Sequence, residues 1–185
     1  MSEDRFRKGT VINAMGYPLP LGTFGGGFIY HVRDRLVALG LVVGLDYQRP
    51  LLHPFERLQQ FKAHPFVAKQ LKGARLVSYG AKAIAEGGYF AMPRPFGDGF
   101  LIIGEAAGIL DAMKLKGIDL AMKSGMLAAE SIYEALAADD VSAKQFSSYR
   151  TKLDASWVGR ALWRARNFHQ GFHRGLLPGM FHAGL

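Results

Sequence analysis

Residues Phe100–Gly125 read FLIIGEAAGILDAMKLKGIDLAMKSG, and the class of fold turns on them. The opening Phe100-Leu101-Ile102-Ile103 is short and wholly apolar, the pattern of a buried strand. It ends in Gly104-Glu105-Ala106-Ala107-Gly108, and Gly117 then opens a helical pattern that reaches Leu136. Along that helix Ala121, Gly125, Ala128, Ala129, Ile132 and Leu136 recur on one face, which predicts an axis lying close against a sheet. Glycine turns around a strand and a helix start let backbone amides approach phosphate, ribityl or flavin-ring atoms. The helix N-terminus adds a partial positive charge. Glu105, directly after the strand, is placed to accept a hydrogen bond from a sugar hydroxyl. Strand–glycine–helix junctions also serve purely structural ends, so the reading depends on the rest of the chain.

Towards the N-terminus, Thr23–Val32 (TFGGGFIYHV) reads as a strand interrupted by three glycines. Such a run predicts either a bulge or a close approach of something to the backbone. Arg33-Asp34-Arg35 forms a polar turn into Leu36–Gly44, apolar on both faces and expected to be a central strand of an antiparallel hairpin. Pro54 suits a helix first turn, with Phe55, Leu58 and Phe61 at helical spacing, and Pro65 starts a second short helix. Arg75–Ile84 (RLVSYGAKAI) reads as a further strand. Tyr30-His31 is a candidate acid/base pair, although a strand histidine satisfied by backbone is commoner.

Towards the C-terminus, Ser142-x-x-Gln145 matches a capping box. The helix it opens carries Phe146, Tyr149, Leu153 and Trp157 on one stripe and is expected to run through Trp163 towards Phe168. Arg160, Arg164, Arg166 and Arg174 lie among Trp157, Trp163, Phe168, Phe172 and Phe181. Such a mixture suits base stacking, an interfacial helix with arginines at lipid phosphate, or equally an ordinary amphipathic helix with a solvated basic face. The apolar Leu176-Leu177-Pro178-Gly179-Met180-Phe181 that follows favours membrane over nucleic acid.

At 185 residues and 49% hydrophobic, the chain supports one sizeable core or two interleaved small ones. It has no cysteine, which excludes disulfides and any iron–sulfur cluster held by this chain's thiolates. No signal-like segment and no run of eighteen apolar residues is present. The net charge of +8 favours an anionic partner without choosing one. Neither a Gly-x-Ser-x-Gly elbow nor a phosphate-binding Gly-Lys-Ser/Thr loop occurs. Of the scattered histidines, His169 and His173 are four apart and could share a helical face; without carboxylate or thiolate partners a metal site there is not the expected reading.

Several segments together resemble one family, the electron transfer flavoprotein–ubiquinone oxidoreductases. They are Gly22–His31, Leu36–Pro50, His53–Pro65, Tyr79–Pro93, Leu101–Gly108 and Lys116–Ile132, in order along the chain. The resemblance implies electron transfer from reduced electron transfer flavoprotein, through FAD and a 4Fe–4S cluster, to ubiquinone. By resemblance, Gly25 and Gly26 meet a quinone carbonyl, with Phe24, Phe28 and Ile29 as apolar walls. Gly104, Glu105 and Gly108 lie near the ribityl–phosphate part of FAD, and Gly117 and Ile118 offer amides to the flavin pyrimidine edge. Asp111-Ala112-Met113 departs from the family's Asn-Val-Pro pattern and puts a negative charge near the flavin. The dinucleotide-binding Gly-x-Gly-x-x-Gly and the cysteine-bearing domain are absent, so the chain reads as a fragment.

The expected fold is α/β, or α+β in detail: a mixed or antiparallel sheet with packed helices, part of an FAD-linked reductase, and a C-terminal amphipathic helix. Residues 1–86 would form the quinone-binding region, 87–138 the C-terminal part of the FAD domain, and 139–185 a helical, membrane-facing segment. The implied partners are electron transfer flavoprotein, ubiquinone and a membrane surface, with no nucleic acid. The implied location is peripheral, on the cytoplasmic face of a bacterial inner membrane or its mitochondrial equivalent. The alternatives are a flavin-dependent isoprenoid reductase, against which Tyr79–Pro93 argues, and a non-catalytic quinone- or lipid-binding module. A Gly26→Val exchange is expected to remove quinone binding at little cost to the fold.

Overall fold

The computed structural model describes residues 6–183 and is α+β. It divides into two compact units, one from residues up to Gly80 with those from Phe172 onward, the other Ala81–Gly171.

The first unit is built on three antiparallel strands, β1 (Val11–Met15), β2 (Gly25–His31) and β3 (Val37–Val43), in the order β1-β2-β3. Asp34 and Arg35 both take φ of 58°, and the Leu36 amide donates to the Arg33 carbonyl at 3.1 Å. That is the two-residue type I′ turn whose twist suits a hairpin. It returns the chain to one side of β2 while β1 takes the other, so the central strand is β2 and the apolar β3 is an edge. Two helices follow, α1 (Pro54–Ala63) and α2 (Pro65–Leu71), each with proline in its first turn as expected. Ile29, Phe61 and Val67 form the buried core between sheet and helices, with Ile12, Ala14 and Leu39 beside them. Burying Phe61, 3% exposed, contributes about 1.5–3 kcal/mol. A Cβ on Gly27 would run into the Phe61 ring, so this glycine makes room for the helix. The glycine run makes no bulge; its register against β3 is continuous, Gly25 to Val43, Gly26 to Val42 and Gly27 to Leu41.

The expected strand Arg75–Ile84 does not form. Residues 75–84 are exposed coil, with Leu76 at 74% and Tyr79 at 89% exposure, and no backbone hydrogen bond involves them among the described residues. A strand needs a ladder partner, and none is supplied to this one.

In the second unit, the run after Phe100 is likewise no buried strand. Only Phe100–Leu101 (β5) pairs, with Phe96–Gly97 (β4), around an Asp98-Gly99 turn, and Phe100 and Ile103 are 50% and 46% exposed. The core here is helical: Ala107, Ile109, Leu127, Tyr149, Leu153 and Leu162 close over one another. Helix α3 (Ile118–Ala137) buries Leu120, Ser124, Leu127, Ala128, Ser131 and Ala135. This face is rotated from the expected small-residue stripe, since Ile132 and Leu136 are 41% and 66% exposed. Its neighbours are helices, α4 (Ala143–Ala155) and α5 (Trp157–Arg164), rather than a sheet. The Ser142 hydroxyl caps α4 by accepting the Gln145 amide at 3.3 Å, as the capping box predicts. The expected single helix towards Phe168 is broken at Ser156. Its extended backbone and hydroxyl, accepting the Val158 amide at 3.1 Å, start α5 and turn Trp157 out to 42% exposure. A short helix α6 (Phe168–Gly171) closes the unit, and α7 (Leu176–Ala183) belongs to the first.

Candidate functional site

In the first unit the expected quinone residues do not share one wall. Phe28 stacks on Tyr30 at 4.8 Å on the face of β2 away from α1. Ile29, 1% exposed, points to the opposite face and packs with Phe61 and Val67. Tyr30 and His31 are separated in the same way. The His31 Nδ1 accepts the Arg7 amide at 3.3 Å, the backbone-satisfied arrangement, and no acid/base pair forms.

Phe24 and Gly25 lie together at the start of β2. With Met15, Thr23, Phe172 and Leu176 they line a recess of about 10 Å³. Phe24 meets Phe172 edge-on at 5.3 Å, and the Leu176 amide donates to the Leu21 carbonyl at 2.9 Å, holding α7 there. The recess is the size of one water, so a quinone ring enters only if Phe172 and Leu176 move aside.

The backbone chemistry of this recess follows from the ladder. The Gly44 amide donates to the Phe24 carbonyl at 2.8 Å, so Phe24 points its polar groups at the β3 side. Antiparallel alternation then turns Gly25 to the β1 side and Gly26 back to β3. Strand β1 ends at Met15, opposite Gly26, one residue short of Gly25. Outside the sheet ladders, no backbone hydrogen bond uses the Gly25 N–H or C=O among the described residues. Of the two glycines, Gly25 therefore keeps a donor and an acceptor open to a ligand, whereas Gly26 spends its groups in the sheet. A Cβ on Gly26 would strike the Ala14 carbonyl oxygen, so valine there disturbs the fold itself, contrary to expectation.

In the second unit, the Gly104–Ala107 turn lies against the first turns of α3. The Gly104 amide donates to Ser124 Oγ at 2.9 Å, and that hydroxyl donates to the Ala121 carbonyl at 2.7 Å. A Cβ on Gly104 would sit 3.2 Å from Ala121 Cβ, and its φ of +60° favours glycine as well. Helix α3 starts at Gly117 with no side chain capping its amides, and Ile118 is 82% exposed. Its N-terminus is thus open to an acceptor atom. Glu105 is already engaged: one carboxylate oxygen accepts Lys82 Nζ at 3.0 Å and the other the Ala85 amide at 3.2 Å. The Lys82 hydrogen bond, followed by that of Ala85, holds its pKa below the ordinary carboxylate value. Asp111, buried, accepts the amides of Met113 and Lys114 at 3.1 Å each and pairs with Lys114 Nζ at 3.6 Å, so its negative charge is locally matched.

Sequence reasoning missed Ser124, whose helical spacing marks it only as a small residue, and the contribution of Phe172 and Leu176. The apolar tail signalled those two, but it was read as facing outward.

Comparison with known proteins defines the first unit's class: residues 1–84 match the family described as "ETF-QO, ubiquinone-binding". The likeness extends further along the chain. It is 42% identical over 180 residues to the mitochondrial electron transfer flavoprotein-ubiquinone oxidoreductase of Oryza sativa subsp. japonica, covering 97% of this chain and 31% of that protein. The corresponding protein of Arabidopsis thaliana is 44% identical over 180 residues, covering 97% and 28%. That of Homo sapiens is 40% identical over 193 residues, covering 100% and 31%. Over the length it spans, the chain is similar to the electron transfer flavoprotein–ubiquinone oxidoreductases. That length is about a third of the curated relatives it matches.

Proposed function

We propose that this chain supplies the ubiquinone-receiving region, and the ring-side part of the flavin site, of an electron transfer flavoprotein–ubiquinone oxidoreductase. The match of residues 1–84 to the ubiquinone-binding family carries the reading. The recess at Phe24 supports it. The quinone ring lies against Phe24, displacing Phe172 and Leu176, and one of its carbonyls accepts the free Gly25 N–H. Apolar walls with a single fixed donor orient a ring whose long tail must leave along an apolar path.

On the flavin side, the uncapped amides of α3 and the exposed start of that helix fit the pyrimidine edge of an isoalloxazine. Bound flavin supplies the exchange of electrons between a two-electron donor and one-electron steps. This chain's part is to orient the ring and to place the partial positive charge of α3 where negative charge collects on reduction. With no cysteine, the chain cannot ligate an iron–sulfur cluster through its own thiolates. Among the described residues no helix is long and apolar enough to cross a membrane. Leu177 and Phe181 on α7, 68% and 88% exposed, suit peripheral contact with a bilayer.

The test is equilibrium binding of a short-tail ubiquinone to the purified chain. Wild type should bind saturably, and Phe24→Ala should weaken binding about tenfold or more, the loss of roughly 1.4 kcal/mol of aromatic contact. Equal binding by both would remove the recess from the account.

A further inference from the structure

The second unit holds a groove of about 410 Å³ between the 111–114 loop and α5. Lys114, Arg160 and Arg164 face it beside Trp157 and Met113. Arg160 and Arg164 are one helical turn apart, so their guanidinium groups stand on one face. Neither has a carboxylate partner among the described residues: Arg160 donates only to the Ala155 carbonyl at 2.8 Å, and the Arg164 side chain has no partner. The carboxylate of Asp111 at the edge of the groove is occupied by Lys114 Nζ and two amides. Three cations against one matched carboxylate leave an excess of two positive charges around the groove.

We infer that this groove binds a phosphate ester, its phosphate held by Arg160, Arg164 and Lys114 and its organic part lying against Trp157 and Met113. Paired guanidinium forks match the geometry of phosphate oxygens better than isolated lysines do. The groove is far larger than a bare phosphate requires. Trp157 and Met113, 42% and 47% exposed, give it an apolar side that inorganic phosphate leaves unused. The same chemistry is offered by an acidic phospholipid headgroup and by a soluble phosphate ester.

The experiment titrates the whole chain with short-chain phosphatidylglycerol below its micelle concentration and, separately, with glycerol 3-phosphate, following tryptophan fluorescence. The double variant Arg160→Gln/Arg164→Gln is compared with Lys72→Gln/Arg75→Gln, which removes the same charge from the other unit. Circular dichroism verifies that both remain folded. The groove variant should weaken binding about tenfold or more, while the charge-matched control stays within about twofold of wild type. Binding of the lipid alone assigns the headgroup as the source; binding of both probes assigns a soluble ester. Equal weakening in the two double variants, or no saturable binding of either probe, overturns the proposal.

Discussion

Two glycine-rich stretches look alike on paper and differ in what fills the space a side chain would take. At Gly26 and Gly27 the protein fills it itself, with the Ala14 carbonyl and the Phe61 ring. At Gly117 the nearest atoms to a Cβ stand 3.6 Å away, an ordinary contact, and the helix amides behind it are uncapped. The first stretch is glycine chiefly because strands and a helix must pack; at Gly117 a side chain would meet Ile109 and Leu110 only at ordinary contact distance. Between them stands Gly25, whose backbone is free only because β1 stops one residue early.

The largest effect expected from this contrast is at Gly26. Gly26→Val should cost about 3 kcal/mol or more in chemical denaturation, taking quinone binding down with the fold. Gly117→Ala should cost only about 0.5–1 kcal/mol, the price of alanine at an N-cap. Similar losses at both positions would erase the distinction. Next comes Ser124→Ala, which leaves the buried Gly104 amide without its acceptor. It should destabilise the second unit by about 1–3 kcal/mol, read from the same denaturation curves. The smallest effect concerns Tyr149, wholly buried with no hydrogen-bond partner for its hydroxyl among the described residues. Burial, partly offset by the nearby Ser124 hydroxyl, pushes its pKa above the ordinary 10.0. A raised folded pKa means that stability is fully present below the unfolded value near 10.0 and is lost as pH rises from there through the folded pKa. Tyr149→Phe should therefore be neutral, or stabilising by up to about 1 kcal/mol, near pH 7, and should flatten the alkaline fall in thermal unfolding.

Local signals survived into the structure where the chain could satisfy them locally. Pro54 and Pro65 start their helices, Ser142 caps α4, and Arg33–Leu36 turns the hairpin. Apolar runs that need a distant partner were misread: Phe100–Ile103 and Arg75–Ile84 have strand composition but little or no ladder. The site was half legible. Phe24 and Gly25 meet in one recess, yet the period-two alternation that separates Phe28 from Ile29 was visible in the sequence and argues against a common wall. Phe172 and Leu176 were beyond reach, because nothing in an apolar tail says which surface it will cover.

If Gly25, alone among the strand glycines, offers its amide to the quinone, amide NMR of the chain titrated with a short-tail ubiquinone reads it directly. The prediction is a saturable shift of the Gly25 N–H, accompanied by Phe172 and Leu176, with Gly26 and Gly27 nearly still. An unmoved Gly25 amide, with shifts gathered instead on the Phe28–Tyr30 face, would contradict it.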